Sequence, residues 1–202
     1  MRIRKSAEDR KSEIEQTALD LAFKIGPSQV TTGMIAKELG LTQPAIYRHY
    51  PKKDDIWTAI ALHLGAQIDA NIAASSPPDL APVERLKKLV LGHLRVVKEN
   101  PALPDFMVLR DKTDGHIVVQ DSIQDAMVAF RVALVSNVKN AINAGHFRAD
   151  LDENDAATLI FGVIQSLVLR MMVTRKPAIL MQDGPRLLYL QLTGFAPTGE
   201  NP

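Results

Sequence analysis

Residues 30–56 read VTTGMIAKELGLTQPAIYRHYPKKDDI, two short amphipathic segments joined at Leu39-Gly40-Leu41. The first runs from Thr31 to Leu39 and the second from Thr42 to about Tyr50, where Pro51 stops it. Gly40 supplies the positive φ that a tight turn between two near-perpendicular helices requires. Ile35, Ala36, Leu39, Leu41 and Ile46 are expected to form a small core, with Ala36 small where the helices approach. This is a helix-turn-helix pattern, whose second helix enters the DNA major groove.

The outward residues of the second segment carry the matching chemistry. Thr42 can cap it. Gln43 carries an amide that pairs bidentately with adenine N6 and N7. Pro44 costs no hydrogen bond in a first turn and offers methylenes to a thymine methyl. Arg48 reaches guanine O6/N7 or a phosphate. Tyr47, His49, Tyr50, Lys52 and Lys53 form a dense set of phosphate donors. Thr31 caps the first segment, and a helix N-terminus favours phosphate. The basic residues Arg2, Arg4 and Lys5 suit an adjacent minor groove.

The charge distribution agrees. The 202-residue chain has a formal net charge of only +1. Residues 1–53 hold ten basic and six acidic side chains, a net +4, and the other 149 residues a net −3. A basic head on a mildly acidic body implies an anionic partner for the head alone. With no Cys, there is no disulfide framework, thiolate metal site or Cys nucleophile, which fits a reducing compartment. The N-terminal residues lack an apolar signal core. The longest apolar stretch, residues 156–173, is broken by Thr158, Gly162, Gln165, Ser166 and Arg170. A membrane span needs about 20 mainly apolar residues, so a core helix is expected and no membrane partner. The five His show no metal-ligand spacing, so neither a metal nor a cofactor is expected, and no nucleophile–base pair suggests an enzyme.

Helical periodicity fills the rest of the chain, with no period-2 runs. Ile14, Ala18, Leu21, Ala22 and Ile25 form one stripe, capped by Ser6 with Asp9 and ended by Gly26-Pro27. Further helices are expected from Lys53 to about Ser75, Pro82 to Asn100, and Pro104 to Asp111. Others run from Gln120 to Ala144, from Asp152 to about Arg175 with Asp155 closing a capping box, and from Asp183 to Gly194. The fold class is all-α, with about nine helices: a three-helix helix-turn-helix head over residues 1–53 and a helical body over 54–202.

The head resembles the TetR/AcrR transcriptional regulators. Their pattern Thr-x3-Ile-Ala-x3-Gly-Val-Ser-x3-Leu-Tyr-x-His-Phe-x2-Lys is met by Thr31, Ile35-Ala36, Gly40-Leu41-Thr42, Ile46-Tyr47, His49-Tyr50 and Lys53. Every spacing matches and each change is conservative. The preceding helix is similar to the family's Ala-Leu-x-Leu-Phe-x3-Gly, except that Ala22 stands where the family prefers Phe, with Phe23 one position on. The resemblance implies phosphate contacts at Thr31, Tyr47, His49 and Lys53, and a base-reading face of Gln43, Pro44 and Arg48. The full DNA-binding set is Thr31, Thr32, Thr42, Gln43, Pro44, Ala45, Tyr47, Arg48, His49 and Lys53.

The resemblance also implies a ligand-binding, dimerising body. The last two helices are expected to make an intersubunit four-helix bundle. Leu159, Ile160, Val163, Ile164, Leu167, Val168 and Met171 cover most of one helix, and Leu187, Leu188, Leu190 and Leu192 supply the other. Trp57, Phe106, Met127 and Phe130, with Arg110, Arg131, Gln165 and Arg170 as polar anchors, are the expected lining of an effector pocket. The implied function is a cytoplasmic regulator, usually a repressor, released from a palindromic double-stranded DNA operator by an unknown small molecule. An architectural or cell-division factor without an effector, and a helical interaction module, remain as alternatives.

Overall fold

The computed structural model describes residues 6–77, 79–108 and 116–197; Arg2, Arg4, Lys5, Arg110 and the last five residues lie outside them. The described residues form nine α-helices and one short 3-10 turn, with no strand among them. They are α1 (Ala7–Ile25), α2 (Thr32–Glu38), α3 (Gln43–Tyr47), α4 (Lys53–Ala74), α5 (Pro82–Glu99), α6 (Leu103–Val108), α7 (His116–Asn143), α8 (Glu153–Thr174) and α9 (Ile179–Thr193). Two compact units result, one of residues 1–65 with 100–124, the other of 66–99 with 125–202.

In the first unit, α1 starts on the expected capping box. The Asp9 N–H donates to Ser6 Oγ at 3.0 Å and the Ser6 N–H to Asp9 Oδ2 at 3.2 Å. Ile14, Ala18, Leu21 and Ala22 are buried as the stripe requires, but Ile25 is exposed, at the end of the helix beside Gly26. Ala22 is fully buried, so the interior holds a methyl group where the family prefers a ring, and Phe23 is half-buried. The α2–α3 turn closes as a Schellman motif. Leu41 N–H donates to the Ala36 carbonyl at 2.8 Å and Gly40 N–H to that of Lys37 at 3.1 Å. Gly40 has φ +63°, as the turn demands. Ile35, Ala36 and Ile46 are buried, while Leu39 and Leu41 are only half-buried; Val30, just before α2, is fully buried.

The second unit is built on an amphipathic α5, which buries Leu86, Leu89, Val90, His93, Leu94 and Val97 at helical spacing. Against them pack Phe130, Leu134 and Val138 of α7, Ile160, Ile164, Leu167 and Met171 of α8, and Leu188 and Leu192 of α9. At Gly92 a Cβ would lie 1.8 Å from Asn71 Oδ1, so glycine leaves room for the Asn71 side chain between α4 and α5. Asn71 donates its amide to the Leu89 carbonyl at 2.9 Å.

Two helix starts and one cap differ from expectation. α7 begins at His116, four residues before Gln120. α9 begins at Ile179, a turn before Asp183, leaving Pro185 inside the helix. The earlier turn buries Leu180, and that packing outweighs the hydrogen bond Pro185 removes. At α8 the cap is one-sided. Asp152 Oδ1 accepts from the N–H groups of Asn154 and Asp155 at 2.9 Å each.

α8 is apolar on more than its buried face. By length and composition it is apolar enough to cross a membrane. Ile160, Ile164, Leu167 and Met171 face the core. Leu159, Leu169 and Val173 are 51%, 62% and 77% exposed, and Ser166 between them is exposed. Together with half-buried Gly162 they recur at i, i+3, i+7, i+10 and i+14, a heptad seam with small residues at its centre. On α9, Tyr189 and Leu190 are also exposed.

Candidate nucleic-acid interface

The interface is built on α2, the Gly40 turn and α3. Thr31 Oγ1 accepts the Met34 N–H at 3.2 Å, as an N-cap should, and its own hydroxyl hydrogen stays available to an anion. Thr42 sits at the N-cap of α3 but makes no side-chain cap bond. Pro44 has no N–H to give, and the Ala45 N–H donates instead to the Thr42 carbonyl at 2.9 Å. The Thr42 hydroxyl is therefore left on the surface. Gln43, Pro44, Tyr47 and Arg48 are exposed, Ala45 and His49 half-buried, and Ile46 wholly buried. One short helix thus anchors itself by a single isoleucine and turns its polar side outward.

Two expected contacts are turned inward. Thr32 is 5% exposed, and its hydroxyl is engaged inside the motif. It accepts from Gln43 Nε2 at 2.8 Å and lies 3.2 Å from the Tyr47 hydroxyl. Tyr50 is buried and its hydroxyl donates to the Glu15 carboxylate of α1. Burial, then the Glu15 bond and the charges of Glu15 and Glu8, push its phenol well above the ordinary tyrosine range. Tyr50 is thus a strut between α1 and the end of α3 rather than a phosphate donor. The pairing joins residues 35 apart, which helical spacing within either segment cannot reveal.

The basic set continues past Pro51. Lys52 is exposed and Lys53, the first residue of α4, is half-buried. The Lys52 N–H donates to Asp55 Oδ2 at 2.8 Å, and Asp54 and Asp55 lie in the first turn, where carboxylates suit the helix dipole. Lys24 of α1 and Glu38 of α2 approach to 3.9 Å at the surface.

The expected pocket residues are divided between the two units. In the first unit, Trp57 and Phe106 are fully buried and meet edge to face at 5.3 Å. In the second, Phe130 is buried against His93, with ring centroids 4.3 Å apart, and Met127 packs at the edge of that core. Arg131, Gln165 and Arg170 are exposed. Arg131 donates to Thr158 Oγ1 at 3.4 Å. Arg170, expected as a polar anchor of the pocket, has Asp183 of α9 at 3.0 Å, and Arg186 approaches the same carboxylate. The buried residue that sequence reasoning undervalued is His93. It is 3% exposed, and its Nδ1 has no hydrogen-bond partner among the described residues. Burial lowers its pKa to about 4. No group of three or more His or acidic residues placed to hold a metal occurs among the described residues.

Comparison with known proteins adds two family models, several relatives and a set of solved structures. Residues 14–60 match the model described as bacterial regulatory proteins, tetR family, and residues 82–182 match the tetracyclin repressor-like C-terminal domain. The transcriptional regulator TtgR of Pseudomonas putida is 24% identical over 187 residues, 90% of this chain and 89% of its own length. The nucleoid occlusion factor SlmA of Haemophilus influenzae is 26% identical over 108 residues. That match spans 54% of this chain and only 45% of the factor. Among solved structures, the ketosteroid transcriptional regulator KstR2 of Mycobacterium tuberculosis aligns with a TM-score of 0.75 at 19% identity, covering 98% of this chain and all of that one.

Proposed function

The chain belongs to the TetR family of DNA-binding transcriptional regulators, and from that premise we propose that it is a cytoplasmic repressor that binds a palindromic operator as a homodimer. Residues 1–53 bind the DNA, and residues 54–202 dimerise and sense a small molecule that releases the operator. The observation that carries this reading is the outward face of α3, where Gln43, Pro44, Tyr47 and Arg48 stand exposed above a buried Ile46. Gln43, Pro44 and Arg48 read bases; Thr31, Tyr47, His49 and Lys53 hold phosphates. Phosphate contacts position the head and base contacts select the sequence.

The two classes of contact separate experimentally. Gln43→Ala is expected to flatten the preference at one base pair of each half-site, at a cost of about 1–3 kcal/mol. Fluorescence anisotropy against single-base operator variants measures it, and an unchanged preference at every position contradicts the role. Lys53→Ala is expected to weaken binding to all duplexes alike and to reduce the slope of log K against log salt by about one per head. A salt titration on operator and unrelated DNA reads this. A change in base preference instead would reverse the assignment.

Dimerisation runs through α8 and α9, supported by the exposed heptad seam of α8 beside Tyr189 and Leu190. Sensing belongs to the helical body, where a ligand favouring one body conformation shifts the heads away from operator geometry. The length of the match to TtgR favours this reading over cell division, because the match to the nucleoid occlusion factor stops at about half of either chain.

A further inference from the structure

We propose that Thr32 is a positioning residue for base recognition, its buried hydroxyl setting the Gln43 amide and joining it to the Tyr47 phenol. The inference rests on the reading of Gln43 as base reader and Tyr47 as phosphate contact. Thr32 is itself too enclosed to reach DNA, at 5% exposure. Its oxygen accepts from Gln43 Nε2 at 2.8 Å and lies 3.2 Å from Tyr47 Oη. The three residues come from α2, the start of α3 and its end, so one hydroxyl spans the motif.

The donor inventory gives this arrangement a direction. A glutamine amide has two hydrogens and one oxygen; a threonine or tyrosine hydroxyl has one hydrogen. Gln43 spends one hydrogen on Thr32. Its other hydrogen and Oε1 are the pair that adenine N7 and N6 require. Thr32 accepts that bond and keeps its own hydrogen for Tyr47 Oη. Tyr47 then keeps its hydrogen for a phosphate oxygen, which can only accept. Each group donates to the next, toward the DNA backbone, and such chains polarise cooperatively. A long amide side chain held in place before binding loses less freedom on binding, which sharpens discrimination. Thr31 supplies the cap of α2, so the start of that helix does not depend on Thr32.

The test compares Thr32→Val, Thr32→Ser and Gln43→Ala in the full chain. The DNA is a duplex selected by the wild-type protein from a random library, with each half-site position then varied. Thr32→Val is expected to flatten preference at the same base pair as Gln43→Ala, by about fivefold or more. Binding to an unrelated duplex should stay within about threefold, because most phosphate contacts survive. Thr32→Ser, which keeps the hydroxyl, should restore discrimination. A circular dichroism melt checks that Thr32→Val folds; Thr32→Ala replaces it if it does not, with the same expectation. If Thr32→Val weakens all duplexes equally and leaves the base ratios intact, Thr32 only packs α2 against α3 and the proposal falls. If Gln43→Ala flattens a position and the Thr32 variants do not, the proposal falls while the base-reading role stands. If Gln43→Ala flattens none, both fall.

Discussion

Leu169→Arg is expected to convert the dimer to a monomer and to lower operator affinity by about 10²–10⁴-fold. In the single chain the substitution is mild. Leu169 is 62% exposed, and changes at such positions usually shift stability by no more than about 0.5 kcal/mol. In a two-fold interface it is severe. Across the proposed two-fold axis the seam of Leu159, Gly162, Ser166, Leu169 and Val173 meets its own copy, so the substitution places two guanidinium groups in one apolar contact. In the proposed interface the small Gly162 and Ser166 at its centre let two copies of α8 approach closely. Losing the partner leaves one head per molecule, and the affinity gained from linking two half-sites disappears. Light scattering gives the mass and anisotropy the affinity. A variant that stays dimeric with unchanged operator binding contradicts the proposed interface.

Acid is expected to destabilise the second unit through His93. Burial holds its pKa at about 4, against about 6.5 in the unfolded chain. Between these values the unfolded chain binds more protons, so stability is full above pH 6.5 and falls as pH drops toward 4. The whole window is worth about 3 kcal/mol, and below pH 4 this histidine adds no further slope. The cause is structural. The ring lies on Phe130 at 4.3 Å, and Nδ1 has no partner among the described residues to share a positive charge. His93→Leu should remove this contribution while leaving that of the carboxylates. Urea denaturation of both proteins at pH 7 and pH 4.5 measures the difference. Equal losses in the two proteins would show that His93 does not couple to folding.

Most of the head is legible in the residues because its signals are local. Ser6 with Asp9, Thr31 with Met34, and Gly40 at φ +63° act over one to three residues. The side-chain partners of the site are not local. Thr32 meets Gln43 eleven positions away, and Tyr50 meets Glu15 thirty-five away, so an inventory of polar residues assigns Thr32 and Tyr50 to DNA when the fold turns them inward. The body shows the same limit. Periodicity identifies the apolar stripe of α5 but cannot say which apolar face of α8 meets its own core. Arg170 interrupts an apolar stretch of sequence. It lies on the exposed side, and Asp183, thirteen residues on and across a helix boundary, neutralises it. The start of α9 lies a turn before the expected Asp183 because the burial of Leu180, which periodicity does not reveal, extends the helix backward.

The claim that α3 is a sequence reader presented twice by a symmetric dimer is tested most directly by selection of a random duplex library with the full-length protein. The account predicts enrichment of an inverted repeat with half-site centres about 34–36 Å apart or near that spacing, bound with an affinity that falls steeply from 50 to 200 mM salt. A library that shows no enriched sequence after binding at low salt would contradict it.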